Sequence, residues 1–416
     1  MESPATGPDR RLPGWSWPAL PVLATLVALR GCFSASEIFF VRDLTSYFWP
    51  YHLWFRDAVS RGESLLWDPT AGFGRPLVAD PIAHVLFPPA IAMRLLMPEA
   101  LGFNLYVALP FPLAAIGCFL LLGRRFSPQA ASIGAAVFAL SGPVLSCGNM
   151  PNLSWAVCLL PWVLWGVDRL CAAPAAGRLA ALAVLFALQF LAGEAVTLAG
   201  TAVLAVLYAM TIPGEGSIGA RLSGAGRVVA AGAAGLLLAG PQAFMFFDAA
   251  SRSYRAGPGG RNLEGSSIHP IALLETVVPG LFGDFVEGGT AAVPWLVALD
   301  GGNEPFLFSI FLGLGALALA TAGVFASGRR RWALFWSAVM VVSVVFALGF
   351  HTPIYHVLHG VVPVLGSSRH PVKFVLFASA ATAALAAAGW DAAGERGPRL
   401  GAAIAALSVA AIAAVA

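Results

Sequence analysis

Two carboxylates and one compact basic group are the side chains best placed for chemistry in this chain. Asp43 stands in FFVRDLTSYFWPYHLWFRDAVS, residues 39–60, directly after the first long apolar run. Asp80 stands in ADP, with His84 four residues on. Arg369, His370 and Lys373 crowd together before the apolar run from Phe374, and Lys373 is the only lysine. Just past Asp43, Tyr47, Tyr51, Trp54, Phe55 and Ala58 share a helical face, while His52, Arg56 and Asp57 fall elsewhere. That pattern predicts a helix lying flat in the outer headgroup layer with its aromatic face buried. Pro50 suits its first turn and Gly62 its end. A flat helix over a cavity would hold the Asp43 carboxylate at the height of lipid headgroups, where a lipid-phosphate substrate presents its reactive bond. The plainer readings are interfacial anchoring for Arg42–Asp43 and snorkelling at a helix end for the basic group.

The elements that must position these groups are transmembrane helices. The 416 residues are 58% hydrophobic and only 11% charged, against about 25% charged in soluble domains. The chain therefore reads as a single all-α polytopic membrane domain. Stretches of about 20 apolar residues fall at 18–40, 101–122, 128–147, 153–171, 178–193, 195–212, 227–247, 305–326, 332–349, 371–390 and 400–416, about eleven spans. The stretch 178–214 is too long for one span, and the GEAVT around Gly193–Glu194 is its natural break. Apolar residues 82–97 hold His84, Pro88–Pro89 and Arg94. If this segment does not cross, Arg10–Arg11, Arg124–Arg125, Arg169/Arg178, Arg221/Arg227, Arg329–Arg331 and Arg396/Arg399 all fall on one side, the cytoplasmic side by the positive-inside rule. Residues 41–100 and 248–304 then form large extracytoplasmic loops, with a shorter one at 350–370. The arginine-bearing N-terminus reads as the cytoplasmic start of an uncleaved first helix. The apolar run still open at Ala416 predicts a continuation of the chain.

The order Asp43, then YFWPY (47–51), GE (62–63), LWDP (66–69), GFG (72–74), PL (76–77), ADP (79–81) and FPP (87–89) resembles the YfhO-type membrane glycosyltransferases of the GT-C superfamily. The likeness continues through LQFLAGE (188–194), VVPGLFGDF (277–285), GNEPFLFSIFLG (302–313) and SSRHPVKFVLFASAA (367–381), nearly the whole chain. It implies a bacterial cytoplasmic-membrane enzyme that moves a sugar from a polyprenyl-phosphate donor to an envelope glycan, glycolipid or protein, with its active site extracytoplasmic. It also implies Asp43 as general base on the acceptor hydroxyl. Inverting transfer needs one carboxylate in line with the anomeric carbon rather than a close pair. Asp80 would orient the acceptor or share a divalent metal with Asp43; its plainer role is turn chemistry before Pro81, as for Asp68 in WDP. The departing polyprenyl phosphate needs cations, for which Arg369, His370 and Lys373 are apt, with His84 a further candidate. The chain departs from the family at Glu194, where a Gly-His-Pro-Gln-like turn is usual.

Other signals are weaker. No Asp-x-Asp occurs in the first loop, so no metal site is assigned. His351, His356 and His359 lack a carboxylate partner for zinc. The Gly-rich 257–260 stretch lacks GxxxxGK, which excludes a P-loop. Five cysteines without a CxxC argue against a disulfide framework or thiolate metal site. The net charge of +3 is too scattered for nucleic-acid binding. Arg30, within the first run, would face a cavity or pair with Glu37. The competing functions are a transporter or flippase for lipid-linked sugars, and a non-catalytic subunit of an envelope-polysaccharide assembly.

Overall fold

The computed structural model describes residues 16–70, 73–213, 217–253, 266–283, 294–299, 304–326, 328–361 and 370–394. The fold is helical, with one antiparallel pair of two-residue strands, β1 (Trp67–Asp68) and β2 (Arg75–Pro76). Among the described residues four helices are long and apolar enough to cross a membrane: α4 (Glu99–Leu122), α7 (Pro151–Ala172), α13 (Arg330–Ala347) and Pro371–Ala393. Counting each of two bent pairs as one span makes six. Several shorter apolar helices accompany them, so the chain suits a multi-pass membrane protein.

The last long helix, α14 (Val375–Ala393 within that final span), is the axis of the core. Every residue from Val375 to Gly389 is buried. A helix buried on all sides needs apolar side chains all round, and this one is mostly alanine, so its neighbours come very close. A Cβ added at Gly389 would lie 2.0 Å from the Leu319 carbonyl oxygen of α12 (Leu314–Val324). A Cβ at Gly323 would lie 2.0 Å from the Leu385 oxygen. Such reciprocal small-residue contacts let backbones pack without help from water. The buried Ser379 and Thr382 hydroxyls donate to carbonyls one turn back, at 3.2 and 2.9 Å.

Several predicted spans are interrupted. The first helix, α1 (Ser16–Ala28), ends far short of residue 40. Arg30 opens a short 3-10 turn and is exposed on the protein surface rather than turned into a cavity. Asn104 of α4 then straps the following chain, donating to the Ser34 and Glu37 carbonyls and accepting from Phe39 N–H. These three bonds satisfy backbone that a helix would have satisfied itself. Residues 128–147 split into α5 (Pro128–Ala139) and α6 (Gly142–Ser146), the pair bent by 44°. Residues 227–247 split into α10 (Ile218–Leu238) and α11 (Gly240–Ser251), bent by 85°. The expected helix 305–326 begins only at Leu314. The extended chain before it is held by Ser146, whose hydroxyl accepts from Ser309 N–H at 2.8 Å, and by Gly142 N–H donating to the Phe311 carbonyl at 2.7 Å. Predicted span 400–416 lies outside the described residues.

Two helices do end where punctuation predicts. The α8–α9 pair (Ala176–Leu191, Ala195–Thr211) breaks at Gly193, whose φ is +78°. Segment 82–97 holds the end of a 3-10 turn (Pro81–Ala83) and α3 (Pro88–Leu96), the latter nine residues or about 13 Å, shorter than a bilayer core.

The two ends of the bundle differ chemically. At one end Arg125 grips buried Asp168 bidentately and Arg329 pairs with Asp391 at 3.3 Å. Arg178 donates there to the Arg169 carbonyl. The other end carries the first loop, the α8–α9 break and Lys373. Gly389→Val should push α12 and α14 apart, an overpacking cost of about 1–3 kcal/mol or more. The check is the melting temperature in detergent, with Gly232→Val, which meets open space, expected to leave it unchanged.

Candidate functional site

The first loop builds its own small core. Phe55, Leu77, Val78, Ala83 and Val85 are buried together beneath α2 (Trp49–Ser60). The buried face of α2 is His52, Phe55 and Ala58, with Tyr51 and Trp54 only partly covered. This rotates the predicted aromatic face and corrects the placing of His52 outside it. The reason is local: His52 stacks on Trp49 and meets Phe103 of α4 edge-on. Burial, then the nearby Arg94 and Arg56 charges, lowers its pKa to about 3 and keeps it neutral. Gly62, at φ +67°, closes the helix as expected, with Glu63 N–H bonding back to the Ala58 carbonyl at 2.8 Å.

On the partly covered side, Asp80 is fully engaged. Its Oδ2 accepts from the Tyr47 hydroxyl at 2.9 Å and from Arg75 Nη2 at 3.0 Å; its Oδ1 caps the turn at Ile82 N–H. The turn role and the cluster role therefore coexist. Arg75 lies over the Tyr51 and Tyr47 rings at 4.7 and 5.4 Å. Burial, reinforced by the Asp80 charge, raises the Tyr47 phenol well above its ordinary range. Asp68 is the turn residue expected, accepting from Thr70 N–H and Oγ1 at 2.8 and 2.6 Å, and it also accepts from Tyr51.

His84 holds the loop to the bundle. It is wholly buried, at φ +56°. Its Nε2 faces the Ala192 carbonyl at 2.8 Å, which can only accept, so Nε2 carries the proton and Nδ1 accepts from the Tyr106 hydroxyl. Both ring nitrogens are spent, so the structure turns this phosphate-binding candidate into an internal tie. Burial keeps it neutral, with a pKa of about 3. Arg94, also buried, donates to the Ala83 and His84 carbonyls. Nearby, the α8–α9 break seats directly on the loop: a Cβ at Gly193 would come within 2.7 Å of the Pro81 backbone.

Glu194, next in the chain, caps α9 through Thr197 N–H at 2.6 Å and accepts from Lys373 Nζ at 2.8 Å. Both partners are largely buried, their side chains 5% and 15% exposed. The Lys373 ammonium lies 5.1 Å from the Phe306 ring centroid, and His370 stacks on the same ring at 4.1 Å. Arg42 reaches the neighbouring residues, donating to the Pro305 carbonyl at 2.8 Å and pairing with Glu304 at 3.2 Å. Its backbone takes the left-handed conformation, φ +45°, and turns the chain into Asp43. Asp43 is exposed and does not cap the turn that follows. Arg42, next to Asp43, and the Lys373–His370 group thus contact the same strap, 304–306, and the Gly193 contact seats the loop that carries Asp80 on the α8–α9 break. Arg369 lies outside the described residues. Arg75, Arg42 and Phe306 were missed as site residues; only the aromatic spacing around Tyr47 hinted at a cation between the rings.

No protein-family model matches the chain, and no curated protein matches it in sequence. Among the described residues no three His, Cys, Asp or Glu side chains are placed to hold a metal. Asp43 and Asp80 therefore form no metal site with a third such ligand among them.

Removing one member of a buried ion pair costs about 3–5 kcal/mol, because the other charge is stranded. Lys373→Met and Glu194→Gln should each lower the melting temperature sharply. The double variant should recover much of the loss, and calorimetry in detergent checks the cycle.

Proposed function

We propose that this chain is a GT-C-type membrane glycosyltransferase, resembling the YfhO-type enzymes, that transfers a sugar from a polyprenyl-phosphate donor to an envelope acceptor outside the cytoplasmic membrane. About eleven spans, with a cytoplasmic N-terminus and the Arg125–Asp168 end inward, fit that reading. One observation supports it: Arg42, the neighbour of exposed Asp43, holds the same 304–306 strap whose Phe306 ring is flanked by Lys373 and His370.

In the proposed reaction the acceptor hydroxyl attacks the anomeric carbon from the face opposite the phosphate. Its proton passes to the Asp43 carboxylate, the anomeric carbon–oxygen bond breaks, and both electrons leave with the phosphate oxygen. Lys373 gives one of its three N–H groups to Glu194, leaving two for the departing phosphate. Asp80 positions Arg75 and Tyr47 rather than taking the proton, since both its oxygens are already hydrogen-bonded. A second reading, a transporter of lipid-linked sugars, draws on the two bent helix pairs.

Purified protein incubated with radiolabelled polyprenyl-phosphate hexoses and an envelope extract should move label to a water-soluble or lipid acceptor. Asp43→Asn should cut the rate by about 10²–10⁴-fold, the usual worth of a general base, with an unchanged melting temperature. Unaltered transfer removes the assignment of Asp43. Label that crosses vesicles still attached to its donor lipid identifies the transporter instead. For sidedness, a cysteine placed at exposed Glu63 should react with a membrane-impermeant maleimide on intact cells, and one at Arg178 should not.

A further inference from the structure

Outside the cluster just described, α2 and the start of α4 border an open concave site of about 450 Å³ lined by Leu53, Trp54, Arg56, Asp57, Ser60 and Glu99. We infer that this cavity is a binding subsite for a neutral glycan, which, resting on the glycosyltransferase reading, makes the acceptor a polyhydroxylated sugar chain rather than a protein or simple lipid.

The size falls within the range of about 300–1,000 Å³ for small-molecule sites. The chemistry of the walls selects the ligand. Trp54 offers a half-buried indole, whose flat face suits the C–H face of a sugar ring. The Asp57 and Glu99 carboxylates are 57% and 59% exposed and can accept from paired hydroxyls. Arg56 is fixed from behind, donating to the Arg94 and Met97 carbonyls, and lies 3.7 Å from Glu99. The Ser60 hydroxyl gives its proton to the Asp57 carbonyl and so presents acceptor lone pairs. Asp57 is paired with Arg61 at 2.6 Å and Glu99 lies 3.7 Å from Arg56, so carboxylates and guanidiniums balance and favour an uncharged ligand. A purely apolar ligand would strip water from these exposed pairs and offer them no hydrogen bonds. A ring bearing hydroxyls around an apolar face satisfies every wall.

The cavity also connects to the proposed reaction centre. The Trp54 and Tyr51 rings are 6.4 Å apart, and Tyr51 and Tyr47 are 4.8 Å apart. Arg75, paired with Asp80, lies over both tyrosine rings, so a sugar chain running on from Trp54 would meet the Arg75 guanidinium and the Asp80 carboxylate rather than open ring faces.

The test titrates full-length protein in nanodiscs with neutral tetrasaccharides of gluco, galacto and manno configuration and with chitotetraose, by saturation-transfer NMR and calorimetry. At least one should bind, and Trp54→Ala should weaken it about tenfold or more, as for loss of an aromatic anchor. Because Trp54 is half-buried, its melting temperature is read in parallel. Asp57→Asn and Glu99→Gln, both surface changes, should each weaken binding without altering stability. In the transfer assay the same variants should raise the acceptor KM and leave the donor KM alone. Absence of binding by all four sugars, binding indifferent to all three variants, or preferential salt-sensitive binding of hexalysine overturns the subsite. If labelled donor still transfers in any of those cases, the enzyme reading stands without it. If a tetrasaccharide binds through Trp54 but no label ever moves, the glycan site stands and the enzyme reading falls.

Discussion

Irregular backbone inside an apolar bundle must find its hydrogen-bond partners within the protein, and that constraint shapes the whole loop-bearing end of this molecule. Unpaired peptide groups away from water cost several kcal/mol each. The chain nevertheless runs extended through 304–313 and breaks α8 from α9. Each departure is matched by a dedicated group: Ser146 for Ser309, the Phe311 carbonyl for Gly142 N–H, and Glu194 for the first turn of α9. His84 answers the exposed end of α8 by donating to the Ala192 carbonyl. These matched groups draw sequence-distant segments to one end of the bundle, so the candidate site is a by-product of satisfying the backbone.

The same logic explains which side chains are available for chemistry. Polar groups that satisfy backbone or each other are fixed: His84 by Tyr106 and Ala192, Asp68 by Thr70, Asp80 by Tyr47, Arg75 and Ile82. Asp43 differs, because the left-handed turn at Arg42 turns it out to solvent while Arg42 itself anchors the strap. A positive φ at a bulky residue costs of order 1–3 kcal/mol and persists only where the surroundings enforce it. The Arg42 contacts with Pro305 and Glu304 supply that enforcement.

Much of the architecture was legible from residue types alone. Composition established an apolar helical chain, Gly193 marked the α8–α9 break, and the sidedness of the arginine clusters argued against a crossing at 82–97. Hydropathy could not separate an apolar helix from an apolar strap, which is why 305–313 and 29–40 read as spans. The deciding groups, Ser146 and Asn104, lie far away in sequence and carry no periodic signal. The face of α2 was misread for a related reason. Helical spacing groups side chains into stripes, but the stripe that faces inward depends on Phe103 of α4, which only tertiary contact supplies.

The site itself was half legible. Asp80 and Lys373 stood out as charges in apolar settings, and both lie where the loop meets the bundle. Their partners were less plain: Glu194 marked a helix break rather than a partner for Lys373, and Arg75 looks like an ordinary turn residue until Gly193 is seen pressed on Pro81. That contact also limits how the site can work. With no room for a single added carbon between Gly193 and the Pro81 backbone, the loop cannot shift toward the α8–α9 break without unseating it. In the proposed transfer the open approach is therefore the exposed side, past Asp43 and the rings of α2, where side chains rather than packed backbone form the boundary.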